Sequence, residues 1–276
     1  SIMTNNQLKQ FSAHIRLQTL KMITSSKAGH IGSNFSIVDI LTVLYNDVLK
    51  FDAKQPNWPE RDRFILSKGH ACASLYAILA EKGFFHKSWL NKFYLEGGLL
   101  AGHATHTVPG VEVSTGALGH GLPIACGMAL AAKRDHQKWR VFCLISDGEL
   151  DEGSIWEALL FATHHKLDNL TLIIDYNKIQ AMGNTNEVLN LEPLTKKLTA
   201  FNWAVREIDG HNFDEINHAL TSVPFKPDSP SCIIAHTVKG KGVSFMENKL
   251  EWHYNCPNND EFEKAVKEIQ NLKCKM

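Results

Sequence analysis

Two short apolar runs separated by one amphipathic segment constrain the fold of this chain more than any other feature. The runs cover residues 141–145 and 170–175, and residues 154–165 between them have the spacing of an amphipathic helix. Strands this apolar are typical of a parallel sheet that is covered on both faces. The carboxyl ends of such strands lie at one edge of the sheet, which is where ligands usually bind.

The same alternation of strands and helices extends over the whole chain. Further strands are predicted at 63–67, 203–208 and 231–235, and helices at 4–27, 36–49, 68–82, 124–135, 193–201, 213–221 and 260–272. Thr4 and Ser36 are predicted to be the N-caps of the first two helices. The pattern predicts one α/β domain over residues 4–276, a parallel sheet with helices on both faces. Residues 1–2, ahead of Met3, are interpreted as a cloning remnant.

Charge and composition exclude several classes of function. Lys and Arg number 29, as do Asp and Glu, so the formal net charge is zero. Because no long basic run is present either, neither nucleic acid nor an anionic membrane is expected as the main partner. No apolar stretch is long enough to span a bilayer. The six cysteines are scattered without the paired spacing of a metal site, which predicts a reduced, cytoplasmic protein with buried thiols.

Polar residues follow both apolar runs at the expected binding edge. Asp147 and Gly148 come after the first run, and Asn177 comes after the second. An Asp-Gly pair after a strand is often only a turn, but a second oxygen donor at the neighbouring strand end favours a shared ligand. Such oxygens suit Mg²⁺, which keeps few protein ligands and is completed by phosphate oxygens and water. We therefore predict a magnesium–diphosphate site at this edge.

Two histidines occupy positions that could bring them to the same edge. His30 lies between Gly29 and Gly32 in a tight loop, although a loop histidine is often merely solvated. His70 falls where a strand ends and a helix begins. A helix N-terminus disfavours an imidazolium, so a neutral ring is expected there, although a protonated ring could still pair with a phosphate ligand.

Two further segments are predicted to be irregular. Residues 97–116 show no periodicity, and their apolar and glycine content argues for a functional loop rather than a disordered one. Gly116, Gly119 and Gly121 then leave backbone amides free to approach an anion or a ring. Their spacing does not match the dinucleotide fingerprint, so an NAD-binding protein is not expected. Residues 239–242, Lys-Gly-Lys-Gly, are predicted to form a mobile basic loop.

Six separated segments, taken together, resemble the transketolases. They occur in the order found in that family and cover residues 29–32, 67–71, 102–103, 114–119, 147–158 and 177–179. The chain resembles the diphosphate-binding half of a transketolase encoded as two polypeptides and, more broadly, the thiamine diphosphate enzymes and their fold. Three residues depart from the family pattern: Ser146 replaces the usual first Gly of its motif, Ala104 a common Pro, and His120 a commoner Gln.

The resemblance implies a role for each matching residue. The implied catalytic residues are His30, His103 and His253. The implied ligands of Mg²⁺, or of Ca²⁺ or Mn²⁺ in its place, are Asp147, Asn177 and the carbonyl oxygen of Ile179. The residues implied to contact the cofactor are His70, Gly116, Ala117, Leu118, Gly148, Glu149, Asn177 and His253. The residues implied to meet across an interface between subunits are Glu152 and Glu157, although both could equally be surface acids at a helix start.

The resemblance also implies an activity and a partner. A transketolase moves a two-carbon ketol unit from a ketose phosphate to an aldose phosphate with thiamine diphosphate and Mg²⁺. In this family a glutamate from a second domain activates the cofactor, and no second α/β series follows residue 272. The chain is therefore expected to be inactive alone. It is expected to act with a separate pyrimidine-domain subunit that supplies this glutamate, in a hetero-tetramer of two plus two chains.

Two other functions stay open. The α subunit of a 2-oxoacid dehydrogenase, or half of a deoxyxylulose phosphate synthase, would share the pair Asp147 and Asn177, although His30 and His103 favour a transketolase. A degenerate homologue that binds a partner without catalysis would be compatible with the three departures from the family pattern.

Overall fold

The computed structural model describes residues 3–274, and its central element is a parallel sheet of five strands. These strands are β1 (Arg63–Leu66), β2 (Val141–Ser146), β3 (Leu170–Tyr176), β6 (Ala204–Asp209) and β7 (Ser231–His236), and a separate antiparallel pair is formed by β4 (Ile179–Gln180) and β5 (Gly183–Asn184). The order in the sheet is β1-β2-β3-β7-β6, and every pairing within it is parallel. The predicted α/β class is confirmed. Residues 1–2, interpreted as a cloning remnant, lie outside the described residues.

Helices connect the strands and cover both faces of the sheet. They are α1 (Asn5–Ser26), α2 (Ile31–Phe35), α3 (Val38–Val43), α4 (Cys72–Glu81), α5 (Gly121–Arg134), α6 (Gly153–His164), α7 (Thr185–Val188), α8 (Leu194–Ala200), α9 (Phe213–Thr221) and α10 (Asn259–Cys274). Thr4 caps α1 as predicted. The Gln7 N–H donates to its hydroxyl at 3.3 Å, and the Thr4 N–H donates to the Gln7 side chain at 2.8 Å, which completes a capping box.

Alternate residues of each strand face two separate apolar cores. Phe142 and Leu144 of β2 pack in the first core, whereas Cys143 and Ile145 pack in the second. Helices α1, α3, α4, α9 and α10 cover the first core, and α5, α6 and α8 cover the second. Because both faces are covered, β2 reads as an unbroken apolar run instead of an alternating one.

The prediction of one helix over residues 36–49 capped by Ser36 is wrong. The chain forms α2 and α3 with a break between them, and a wider π-type turn follows at Leu44–Val48. Ser36 is buried in the break and donates its hydroxyl to the Asp175 carboxylate at 2.7 Å. The Ser36 hydroxyl therefore bonds to a residue distant in sequence instead of capping a helix.

Several loops meet at the carboxyl edge of the sheet. The ends of β2 and β3 are paired, so Asp147 and Asn177 start from adjacent points of this edge. Residues 97–116 contain neither helix nor strand, as predicted. They fold back onto the edge, where the Ala104 N–H donates to the Gly69 carbonyl oxygen at 3.1 Å. The fold thus brings segments far apart in the sequence to one place.

The described cysteine side chains are mostly buried. The described cysteine side chains are free thiols, and those that are buried are Cys72, Cys126, Cys143 and Cys232. Burial raises the pKa of Cys126 to about 12, which is typical of inert structural cysteines. Over residues 3–274, no helix combines the length and the apolar character needed to cross a membrane.

A side chain at Gly69 is expected to destabilise the fold. A Cβ there would lie 2.6 Å from the Thr115 carbonyl oxygen and 2.5 Å from its hydroxyl. Gly69→Ala should lower the free energy of unfolding by about 1–3 kcal/mol, because backbone atoms obstruct the new methyl group. Gly127→Ala in α5 is the matched control, since nothing lies within 4 Å of its Cβ position. It should raise stability by about 0.5–1 kcal/mol, and similar urea unfolding curves for both variants would contradict this account.

Candidate active site

A cavity of about 260 Å³ opens at the carboxyl edge of the sheet. Residues that follow β1, β2, β3 and β7 line it, together with two loops from the N-terminal half of the chain. Ten of the residues predicted from the sequence line this cavity, namely His30, His70, His103, Gly116, Leu118, Asp147, Gly148, Asn177, Ile179 and His253. Ala117 and Glu149, which were also predicted, lie outside its lining.

Four of these residues are histidines grouped around His30. The centroid of the His30 ring is 4.9 Å from that of His70, 5.3 Å from that of His253 and 6.3 Å from that of His103. His30 precedes α2 with φ 68°, and its N–H donates to the His253 carbonyl oxygen at 2.8 Å. Non-glycine residues with such a backbone are uncommon and are often found at functional sites. His30 therefore faces the cavity instead of being an ordinary solvated loop residue.

Burial keeps three of the histidines neutral. Burial, followed by the neighbouring His103, lowers the pKa of His30 to about 4. Burial, followed by the Lys239 charge, lowers the pKa of His253 to about 3. Burial also holds the pKa of His70 well below its usual value, in agreement with the neutral ring expected there. At pH 7 each ring therefore has one nitrogen that donates a hydrogen bond and one that accepts.

The prediction of a mobile loop at residues 239–242 is wrong for its first residue. Lys239 is 1% exposed, and its ammonium group donates to the Ile179 carbonyl oxygen at 3.0 Å and to Nδ1 of His253 at 2.7 Å. Because an ammonium group only donates, Nδ1 accepts and the proton of His253 lies on Nε2. Sequence analysis missed this residue, and its place three residues after the end of β7 was the available signal.

Asp147 and Asn177 come together on the cavity wall. Asp147 is 1% exposed, and its carboxylate accepts from two backbone N–H groups at 2.7 and 2.5 Å. The Asn177 side chain donates to Asp175 at 3.1 Å, and its oxygen accepts from the Ile179 N–H at 3.0 Å. These hydrogen bonds fix both side chains in place, so the oxygen donors are organised before any ligand binds.

The three predicted metal ligands have the chemistry of a divalent-cation site. Burial, followed by the nearby Asp175 charge, raises the pKa of Asp147 to about 7. A carboxylate in that state gains stability from a cation placed beside it. Asp147, Asn177 and the Ile179 carbonyl oxygen are hard donors of the kind that Mg²⁺ prefers. The Ile179 oxygen accepts from a lysine but keeps a second lone pair, so the residues fit the ion.

A buried ion pair between Lys68 and Asp175 lies beside these ligands. Their side chains are 1% and 0% exposed, and Nζ is 2.5 Å from Oδ2. The Asp175 carboxylate also accepts from the hydroxyls of Ser36 and Thr237 and from the Asn177 amide. The pair therefore orients Asn177. Sequence analysis assigned no role to either charged residue, although a carboxylate at the end of an apolar run is itself unusual.

Glu149 lies behind the cavity and holds residues 116–121, the glycine-rich loop, in place. Its buried carboxylate accepts from the Ser67 hydroxyl and from the N–H groups of Gly119 at 2.8 Å and Ser146 at 3.3 Å. The Ser67 hydroxyl in turn accepts from the Gly121 N–H at 3.0 Å. The glycine-rich loop is thus tied to the ends of β1 and β2. Direct contact between Glu149 and a cofactor stays a prediction.

The three departures from the family pattern are accommodated locally. Ala104 donates its N–H to the Gly69 carbonyl oxygen at 3.1 Å, a bond that proline could not make. Nδ1 of His120 lies 3.1 Å from the Leu118 carbonyl oxygen, so its ring holds the glycine-rich loop. Ser146 ends β2 in strand conformation, where glycine is not required. None of the three obstructs the cavity.

The two predicted interface acids, Glu152 and Glu157, are exposed at the surface. Glu152 immediately precedes α6, and Glu157 lies within that helix. Exposed apolar side chains of α5 and α6 lie on the same part of the molecule, namely Ile124, Leu160 and Phe161. Apolar surface of this kind is typical of protein–protein contacts. A meeting of the two acids across an interface stays a prediction.

Comparison with known proteins relates this chain to one family over most of its length. Residues 8–272 match the family described as transketolase, thiamine diphosphate binding domain. An apulose-4-phosphate transketolase subunit from Phocaeicola vulgatus is 42% identical over 92% of this chain and 90% of its own length. The 6-deoxy-6-sulfo-D-fructose transketolase subunit SqwG of Clostridium sp. is 44% identical over 93% of this chain and 94% of its own.

Solved structures show the same fold. The crystal structure of transketolase from Campylobacter jejuni has a TM-score of 0.92 and 32% sequence identity, and the match covers 99% of this chain and 46% of that one. Transketolase from Leishmania mexicana has a TM-score of 0.86 and 25% identity, with the same coverage of both chains. The chain therefore spans nearly all of the subunit relatives and less than half of these transketolase chains.

Replacing Asp147 by asparagine should remove a pH-dependent loss of stability in the absence of divalent metal. Between the ordinary pKa of 3.8 and the folded value of about 7, the folded state keeps a proton that the unfolded state releases. Stability is therefore lost as pH rises through this interval, and the full loss is present above pH 7. Asn does not titrate, but its amide nitrogen replaces one of the two oxygens that accept backbone N–H groups, a cost that does not depend on pH. The stability of Asp147→Asn relative to wild type should therefore be about 1–3 kcal/mol higher at pH 8 than at pH 4. Urea unfolding in a chelator measures the difference.

Asp168→Asn is the control, because the pKa of this carboxyl is shifted in the opposite direction. Burial alone would raise the pKa of Asp168, but hydrogen bonds from Lys133 and the Asp228 N–H hold it below its ordinary value. This variant should lose stability at pH 8. Mg²⁺ at pH 8 should stabilise wild type and leave Asp147→Asn unchanged. If Asp147→Asn changes the free energy of unfolding equally at pH 4 and pH 8, burial does not raise the pKa of Asp147.

Proposed function

The chain belongs to the transketolase family, and on that premise we propose that it is the thiamine diphosphate-binding subunit of a transketolase made of two different chains. Relatives named as transketolase subunits match it over at least 90% of their own length. Transketolase chains of known structure are matched over only 46% of theirs. A division of the enzyme between two polypeptides accounts for both observations.

The convergence of four histidines and three oxygen donors on one cavity carries this proposal. The oxygen donors suit a divalent cation that would hold a diphosphate, and the neutral histidines suit proton transfer at sugar hydroxyls. No single segment of the sequence supplies both sets. The parallel sheet brings them together at the edge where ligands usually bind.

The residues of the cavity divide between the two ends of the proposed cofactor. Asp147, Asn177 and the Ile179 carbonyl oxygen would hold the divalent cation, and Lys239 would face the diphosphate from the same wall. Gly116, with the glycine-rich loop around it, would line the thiazolium and pyrimidine rings. When bound, thiamine diphosphate supplies the carbon nucleophile that carries a ketol unit from a ketose to an aldose.

Histidines of this chain would move protons at the sugar hydroxyls. His30 is neutral at pH 7 because burial lowers its pKa to about 4, so one ring nitrogen has a lone pair that can accept a hydrogen bond from a sugar hydroxyl. Nε2 of His253 carries a proton because Lys239 occupies Nδ1, so this atom can only donate to the substrate. The His103 ring centroid lies 6.3 Å from that of His30, and His103 lines the same cavity, so it would face the same substrate.

The partner chain would close the cavity, and Glu152 and Glu157 would meet the same acids of a second copy of this chain. This chain contributes no glutamate to the lining of the described cavity, so the carboxylate that activates the cofactor would come from the partner. An assembly of two plus two chains is proposed, with each cofactor held between subunits. The free thiols favour a cytoplasmic location.

The proposed substrates are sugars that carry an anionic group. One relative is named for apulose-4-phosphate and another for 6-deoxy-6-sulfo-D-fructose. Both names describe a sugar with a charged substituent. Sugar phosphates are therefore the first donors and acceptors to test, and sulfonated sugars are the second.

The chain should show no ketol transfer alone and should gain it with its partner. The experiment recovers the partner by pull-down from the native cell and identifies it by mass spectrometry. The purified pair is then assayed with thiamine diphosphate, Mg²⁺ and panels of ketose and aldose phosphates. Turnover of pyruvate instead would indicate a different thiamine diphosphate enzyme. Cofactor binding without turnover of any panel member would favour a non-catalytic homologue.

His30→Asn should lower kcat of the reconstituted enzyme by about 10²–10⁴-fold, because it removes a general acid–base group. The cavity should still bind the cofactor, since the oxygen donors are unchanged. His218→Asn on the exposed surface of α9 is the control and should leave kcat unaltered. Steady-state kinetics at saturating cofactor gives the comparison, and an equal kcat for both variants would remove His30 from the mechanism.

A further inference from the structure

Lys239 enters the cavity from a turn that is tightly held. Its own carbonyl oxygen accepts from the Asn248 N–H at 2.8 Å, and the next residue, Gly240, donates to the Gly32 carbonyl oxygen at 3.0 Å. The side chain reaches Ile179 and His253. The position of the ammonium group, and the tautomer of His253 with it, therefore depend on where this turn is anchored.

His211 anchors the start of the turn from outside the cavity. It lies after β6, with its side chain 10% exposed. The Val238 N–H donates to Nε2 of His211 at 2.8 Å, and Nδ1 lies 2.8 Å from an Asp39 carboxylate oxygen. Because a backbone N–H can only donate, Nε2 accepts and Nδ1 donates. Both ring nitrogens are thus used, one toward the turn and one toward the interior.

Asp39 is itself fixed by a buried arginine. Arg16 is 3% exposed and donates from both terminal nitrogens to the two Asp39 carboxylate oxygens, each at 2.8 Å. Such a bidentate pair sets geometry as well as charge. Nε of Arg16 donates to the Lys241 carbonyl oxygen at 3.0 Å. The ion pair between α1 and α3 therefore reaches the end of the same turn.

The two anchors lie on either side of the cavity lysine. His211 holds Val238, the residue before Lys239, and Arg16 holds Lys241, two residues after it. A sequence with two glycines, Gly240 and Gly242, would otherwise leave this turn free to move. The bonds run from a buried ion pair, through His211 and the backbone, to a side chain in the cavity.

We propose that His211 is a positioning residue that sets the place of Lys239 in the active site. The role of Lys239 toward a diphosphate rests on the proposed function, whereas the anchoring of its turn does not. His211 does not line the main cavity. It acts through the Val238 N–H, because an imidazole supplies an acceptor for that group and a donor for Asp39 at a fixed separation.

Hydrogen exchange on the purified chain tests the anchoring directly. His211→Phe keeps an aromatic ring, slightly larger than imidazole, and removes both hydrogen bonds, so amide exchange over residues 238–248 should rise by about 3–10-fold. Exchange in β6 and α9, which flank His211, should stay as in wild type. His211→Gln retains one donor and one acceptor and should restore most of the protection. His218→Phe on the exposed surface of α9 is the control and should change nothing in the turn.

Cofactor dependence of the reconstituted enzyme tests the consequence for the site. In His211→Phe the half-saturating concentration of thiamine diphosphate should rise by about 3–10-fold, whereas kcat at saturation stays within about twofold of wild type. His211→Gln should recover most of the cofactor affinity. A general loss of folding would instead lower kcat or the active fraction and leave the half-saturating concentration of thiamine diphosphate unchanged.

Two sets of results would overturn the proposal. One is exchange over residues 238–248 that does not change, or that rises equally throughout the chain, in His211→Phe. The other is a local rise in exchange with unaltered cofactor dependence. If the wild-type pair transfers no ketol unit with any sugar, the proposed function fails. The exchange data then still decide whether His211 holds the turn that carries Lys239.

Discussion

The buried ion pair between Lys68 and Asp175 is the interaction on which the arrangement of the site depends. Its charged atoms lie 2.5 Å apart with almost no exposure to solvent. The Asp175 carboxylate also accepts hydrogen bonds from Ser36, Thr237 and Asn177. These bonds join the ends of β1, β3 and β7 to the break between α2 and α3. Because a buried charge that loses its partner is strongly destabilising, these four segments are held in fixed positions relative to each other.

Around this pair the pKa values of several groups are shifted toward the neutral form. Burial raises the pKa of Asp147 to about 7 and lowers that of Lys239 to about 8 and that of His30 to about 4. Each shift favours the neutral form, because a buried site penalises charge. A cation beside Asp147 and an anion beside Lys239 would reverse the first two shifts. A charged cofactor would therefore be bound partly by relief of an unfavourable state that the fold imposes, as functional sites often show.

Much of the fold could be predicted because local signals and tertiary structure agree. The central strands β2, β3 and β7 are buried on both faces, so they appear in the sequence as nearly continuous apolar runs. Asp147 and Asn177 could be placed together because parallel strands end at one edge. The errors concern residues whose partners are distant. Ser36 has the composition of a helix cap but bonds to Asp175, and residues 239–242 have the composition of a mobile loop but are anchored on several sides.

The sequence by itself determined the order of the five strands of the sheet and of the longer helices, the oxygen donors at the strand ends and, through the order of its motifs, the family. Only the tertiary structure decided that His30 adopts a left-handed backbone and that its ring centroid lies 4.9–6.3 Å from those of three other histidines. It also decided that Lys239 fixes the tautomer of His253 and that Lys68 meets Asp175 across 107 residues of chain. The physical reason is that periodicity and capping report on neighbours within a few residues. Buried charges and hydrogen bonds instead find partners that packing brings together.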